Sequence, residues 1–179
     1  MEEYKICVVG SGETDKSDLA RHFVLGTTTF RGYDPTVEDA YKIERVVDGK
    51  PVVLDILDTA GMELLQFSVL HDMCMCGNGF VLVYSITSQA SFKDLISFRK
   101  RIFRAQNLDT DTDTVPLVLA GNKCHLEEER EVSREQGEAL AAAWRCSFIE
   151  ASSETGHNVE EVFMDVANQI CRKNRGKYK

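Results

Sequence analysis

Short apolar runs recur along this chain and alternate with stretches whose apolar positions fall three or four apart. The runs at 4–9, 52–57, 79–85, 116–121 and 147–151 predict buried β-strands. A more polar segment at 41–47 reads as a further strand, joined to the run at 52–57 through Asp48-Gly49-Lys50, a hairpin signal. Helical spacing is clearest near the end, where Val159, Val162, Phe163, Val166 and Ile170 form one apolar stripe. The segment from Phe92 to Phe103 repeats the pattern with Leu95, Ile96 and Ile102, and Ser133 with Gln136 three residues on predicts a capped helix start. Strand–helix alternation with one hairpin predicts an α/β fold, a mostly parallel sheet covered on both faces. Ligands of such sheets sit at the carboxyl ends of the strands.

Composition narrows the class. At 179 residues with 43% apolar and 28% charged side chains, the chain fits one domain and is too apolar for disorder. Residues 1–171 read as that domain and 172–179 as a basic tail, with five cationic side chains and no acid. The net charge is −8 despite that tail, so the body is more acidic still and repels phosphate backbones. Nucleic acid is therefore not expected as a partner. The tail is a candidate contact for an anionic membrane surface, or simply a solvated helix end. No apolar run approaches a membrane span, and the acidic start Met1-Glu2-Glu3 is unlike a secretory signal, so the expected location is the cytoplasm or the cytoplasmic face of a membrane.

Six cysteines without dense spacing read as free thiols rather than a disulfide scaffold. A structural zinc takes about four ligands, and His71, Cys74 and Cys76 are not accompanied by a second closely spaced pair. Trp144 and Cys171 read as packing residues, with acylation the alternative for Cys171.

The first strand is followed by Gly10-Ser11-Gly12-Glu13-Thr14-Asp15-Lys16-Ser17 and an amphipathic helix. A phosphate-binding loop reads G-x-x-x-x-G-K-[ST], in which backbone N–H groups wrap the phosphates, Lys reaches the outer ones and Ser holds magnesium. Gly10, Lys16 and Ser17 match, with Gly12 between them, while Asp15 stands at the second Gly. Three further segments follow in order: Tyr33-Asp34-Pro35-Thr36-Val37-Glu38-Asp39-Ala40-Tyr41, then Asp58-Thr59-Ala60-Gly61, then Gly121-Asn122-Lys123-Cys124. Together they resemble the Ras family of small GTPases, its Ras and Rap branch in particular, over nearly the whole chain.

The resemblance implies a P-loop G domain with a six-stranded sheet and five helices, and a site for GTP or GDP with Mg2+. Ser17, Thr36 and Asp58 take the magnesium-related positions; the bland alternative makes them a cap, a loop hydroxyl and a strand-end acid. Phe30, across a connection one residue longer than in Ras, takes the place of the Phe that stacks on guanine. It implies two switch segments, around 30–41 and 58–77, that rearrange with the γ-phosphate. The segment from Tyr33 to Tyr41 corresponds to the effector-binding loop. Implied partners are effectors with Ras-binding-type domains and an exchange factor, met by a monomer.

The departures cluster at the nucleotide. Glu13 and Asp15 put two acids in the phosphate loop, and a like-charge pair at 4 Å costs roughly 4 kcal/mol at an effective dielectric of 20. Asp15 is expected to be drawn aside by Lys16 or the metal. The family's Asn-Lys-x-Asp, whose last carboxylate accepts two hydrogen bonds from guanine, is here Asn122-Lys123-Cys124-His125. A neutral imidazole accepts at one nitrogen and a protonated one at none. The Ser-Ala-Lys loop is Ser152-Ser153-Glu154, with reversed charge. Met62 replaces the water-orienting Gln, and a thioether donates nothing. The expectation is a pseudo-GTPase that keeps an effector loop while GTP/GDP binding and hydrolysis are weakened or lost. The alternative is a working guanine-nucleotide switch with slow hydrolysis.

Overall fold

A computed structural model describes residues 1–26, 40–59 and 67–177. Phe30, the loop residues 33–39 and Met62 lie outside the described residues. Six strands form one sheet: β1 (Glu2–Gly10), β2 (Ala40–Val47), β3 (Lys50–Asp58), β4 (Gly79–Ser85), β5 (Leu117–Asn122) and β6 (Ser147–Glu150). Their order is β2-β3-β1-β4-β5-β6, parallel except for the β2–β3 pair. Five helices, α1 (Lys16–Leu25), α2 (Phe67–Cys76), α3 (Gln89–Ala105), α4 (Arg134–Trp144) and α5 (Val159–Lys177), cover it.

The sheet is buried on both faces, which is why its inner strands read as unbroken apolar runs. Along β1, Tyr4, Ile6 and Val8 enter one core with α1 and α5, while Cys7 and Val9 enter the other with α2, α3 and α4. In the first core Phe23 stacks on Phe163 with ring centroids 4.4 Å apart. Every residue of β4 is buried. The hairpin turn is two residues, since Val47 pairs with Lys50 and Lys50 already belongs to β3. Asp48 (φ 50°) and Gly49 (φ 77°) both take positive φ, as a type I′ turn requires. The capping box forms as the sequence predicts: Gln136 N donates to Ser133 Oγ (3.1 Å) and Ser133 N to Gln136 Oε1 (3.0 Å).

Two readings change. α3 runs beyond 92–103 at both ends, and Ile96, which its spacing assigns to the buried stripe, is 51% exposed. Leu95, Ile102 and Phe103 fill the core side of that helix instead. α5 continues to Lys177, so residues 172–177 form a basic helix end, and Arg175 pairs with Asp48 of the hairpin. Trp144 and Cys171 do pack, Cys171 within the α5 core and Trp144 against the other, under the Arg99 guanidinium. The described cysteines are all free.

Candidate functional site

The chain runs to both sides of β1, and the parallel strands β1, β3, β5 and β6 all end on the same edge of the sheet, where ligands of such sheets sit. The residues singled out from sequence on 10–17, 58, 122–125 and 152–154 come from strand ends, the loops that follow them and the first turn of α1. At Gly10 a Cβ would lie 2.4 Å from the Val83 carbonyl oxygen of the neighbouring strand, so only Gly lets the chain leave the sheet here. A single 3-10 turn, Gly12–Thr14, follows, closed by the Thr14 hydroxyl donating to Ser11 O (2.8 Å).

Asp15 then takes φ 55°, ψ 34°, the left-handed conformation. The backbone therefore makes the turn that the family's Gly makes, and Asp is one of the residues that tolerate it. Its carboxylate is drawn to Lys123 Nζ at 3.7 Å, where Lys16 or the metal was expected from the sequence. Lys16 is buried and donates to Ser11 O across the loop (3.4 Å). Glu13 accepts from the Ser88 hydroxyl at the N-cap of α3 (2.9 Å), which directs that acid to the flank of the loop.

Asn122 ties the loops together. Its Nδ2 donates to Thr14 O (2.8 Å) and Ser153 Oγ (3.3 Å), and its Oδ1 accepts from Ser153 N (3.0 Å). The side chain is fully buried, so these bonds hold the phosphate loop against the β6–α5 loop. Two contributors carry no motif. Thr14 supplies the carbonyl for Asn122, and His22 of α1 places Nδ1 2.9 Å from Ser153 O. Only the position of Thr14 inside the loop hinted at its part; nothing in the sequence marked His22.

His125 is held on both sides. Nδ1 lies 2.8 Å from Ser152 Oγ and Nε2 2.7 Å from Glu154 Oε2. Ser152 Oγ also accepts from Thr155 N (3.1 Å), leaving its hydrogen for Nδ1 and the imidazole hydrogen for Glu154. In the protonated ring both nitrogens are donors. Neither state leaves an acceptor on the ring. Beside it, burial and then the Glu150 charge push the Cys124 thiol up, so Cys124 is no ready nucleophile.

The fit to a nucleotide is thus uneven. The phosphate loop has the required backbone, a buried Lys16 and an acid already paired. Ser17 lies in the first turn of α1, and Asp58, buried, ends β3; they are the described members of the proposed magnesium set. The guanine end does not fit, because the atoms that would meet the base edge bond to one another. Comparison with protein families matches residues 5–172 to the Ras family.

Proposed function

The chain belongs to the Ras family, and from that premise we propose that it is a pseudo-GTPase of the Ras and Rap type. It is a signalling protein that presents an effector loop while its hold on guanine nucleotide is weakened or lost. One observation carries this reading: both nitrogens of His125 are engaged, by Ser152 and Glu154, where the family offers guanine a carboxylate. A base that finds no acceptor leaves its own N–H groups unpaired, and a buried donor left unsatisfied costs about 1–3 kcal/mol. Two such donors weaken binding by well over tenfold.

A guanine end that does not fit leaves hydrolysis without a firmly held substrate. Met62, in place of the water-orienting Gln, points the same way. The segment Tyr33 to Tyr41 carries the family's effector chemistry, with Asp34, Glu38 and Asp39 as acids for a basic Ras-binding-type domain. Binding to such a domain is expected in the absence of GTP and Mg2+.

A second reading, the slow but working switch, is favoured by the phosphate end. The Asp15–Lys123 pair removes part of the repulsion expected from an acid in that loop. Melting curves separate the two. The pseudo-GTPase gains little from sub-millimolar GDP with Mg2+, whereas a site filled at 100 times its Kd adds about 2.7 kcal/mol of stability. A clear rise in Tm that chelation abolishes, with GDP or GTP released on heat denaturation of the purified protein, establishes the switch.

A further inference from the structure

We propose that the outer face of α3 is a cationic docking groove for an acidic, apolar-centred segment of a partner protein. The chain is acidic overall, yet α3 carries Lys93, Arg99, Lys100, Arg101 and Arg104 against the one acid Asp94. Arg99 has a structural post: its guanidinium lies over Phe103 and Trp144 and donates to Thr110 O. The others fall into a stripe. Lys93, Ile96, Ser97, Lys100, Arg101 and Arg104 are spaced by three, four, seven, eight and eleven residues, which is one helical face roughly 16 Å long. These same six residues line a cavity of about 520 Å³.

Folding does not account for this stripe. Elsewhere Arg21, Lys42, Arg45, Arg130 and Arg134 each sit on a carboxylate. Lys93, Lys100 and Arg104 have no ion-pair partner among the described residues, and Lys100 and Arg104 repel each other one turn apart. Ile96, half exposed in their midst, buries nothing in the core. An apolar centre beside the cations of Lys93, Lys100 and Arg104 matches the anatomy of a protein interface, an apolar core with a polar rim.

The shape and the charge pattern select a polypeptide over a membrane. Lys100 and Arg104 stand between this cavity and a second one of about 500 Å³, whose far wall holds Asp109 and Asp111. A uniformly anionic plane meets those acids after the cations and cannot enter two separate depressions. A segment that places an apolar side chain at Ile96 and carboxylates beside Lys93, Lys100 and Arg104 satisfies the first cavity and stops before the acids.

The test uses the full chain and a labelled probe peptide, Glu-Glu-Glu-Leu-Glu-Glu-Glu, with a Ser-centred analogue and vesicles of phosphatidylcholine and phosphatidylserine. Fluorescence anisotropy is expected to show salt-sensitive binding of the Leu peptide. Lys100→Glu with Arg104→Glu weakens it about tenfold or more, as loss of paired interface charges does. Ile96→Ser weakens the Leu peptide and leaves the Ser analogue unchanged, which separates the groove from bulk charge. Lys50→Glu, on the hairpin, changes neither. All variants keep the parent melting curve, since the altered side chains are exposed. No binding of the peptide, binding that the α3 variants do not alter, or capture of vesicles in place of the peptide would each overturn the proposal.

Discussion

The Nε2 atom of His125 lies 2.7 Å from Oε2 of Glu154, and this one contact couples two departures that look independent in sequence. A carboxylate at 125 and a cation at 154 are the family's pattern; here a donor and a carboxylate stand in those places and bond to each other. The reversal is therefore self-consistent as a local structure. Ser152 completes the chain on the other side of the ring, fixing the imidazole plane.

Asp15 makes a prediction about backbone rather than charge. Its left-handed conformation costs a side-chain-bearing residue about 1–2 kcal/mol relative to Gly, offset for Asp by local hydrogen bonding. Asp15→Val is expected to lower stability by about 1–2 kcal/mol in urea denaturation. Asp15→Gly trades the Lys123 pair for conformational ease and should change stability by less than about 0.5 kcal/mol, because a half-exposed pair at 3.7 Å contributes little. Equal losses in both variants would show that the ion pair, not the backbone, is what Asp15 supplies.

Much of this was legible beforehand, for physical reasons that can be named. Strand runs such as 79–85 announce themselves because a sheet covered on both faces needs apolar residues at every position. The phosphate loop was legible because Gly10 and Lys16 serve geometries that few other residues allow. Ile96 misled, since helical spacing marks a stripe without saying which of its edge positions are covered. The partner of Asp15 was not legible either: Lys123 is 108 positions away in sequence and reaches it only because β5 ends beside the loop. His22 was invisible for the same reason, its bond to Ser153 depending on how α1 lies against the β6–α5 loop.

The Arg130–Glu150 pair is a stability determinant beneath the site. Arg130 Nη1 and Nη2 donate to the two Glu150 oxygens at 2.7 and 3.0 Å, and Glu150 is only 7% exposed. The hydrogen bonds it donates to Glu150 and then to Glu127 hold the guanidinium firmly charged. Arg130→Met leaves a buried carboxylate with only Arg134, at 3.5 Å, for company. A loss of about 3 kcal/mol is expected in urea denaturation, the low end for a broken buried pair. Adding Glu150→Gln to that variant should recover part of it, because the stranded charge is then removed.

Asp55 sets a pH dependence. Its Oδ1 is buried without a hydrogen-bond partner, and burial, against the opposing pull of Lys42, raises its pKa above 3.8. The folded state thus holds this proton more tightly than the unfolded chain, so this group's contribution to stability declines as pH rises through its folded pKa. Asp55→Asn removes the ionisation while keeping the shape. The variant should be more stable than the parent at pH 7 by roughly 1 kcal/mol, the lower end of the cost of an unpartnered buried group. That advantage should shrink as pH falls below the ordinary carboxylate range. Melting curves taken across the acidic range check the slope, and an advantage constant with pH would mean that packing, not charge, is responsible.

Repair of the base end is the most direct test of the proposal that the base site has lost its hold on guanine. His125→Asp alone returns a carboxylate to the base edge, with one oxygen for the Ser152 hydroxyl and one facing outward. It also sets that carboxylate against Glu154, which is 74% exposed and can swing into solvent at modest cost, yet still repels an anionic nucleotide. Glu154→Lys removes both penalties. The double variant His125→Asp with Glu154→Lys is therefore expected to gain more than the sum of its parts, since the two side chains touch. With GDP and Mg2+ at 100 times its Kd it should gain about 2.7 kcal/mol, a rise in Tm of roughly 5–10 °C for a chain of this size. Asp15→Gly added to it should contribute little, because Lys123 already draws that acid aside. A large further gain from Asp15→Gly would instead locate the principal defect at the phosphates. A double variant that GDP leaves unmoved, while folding as the parent does, would reject base recognition as the function this chain gave up.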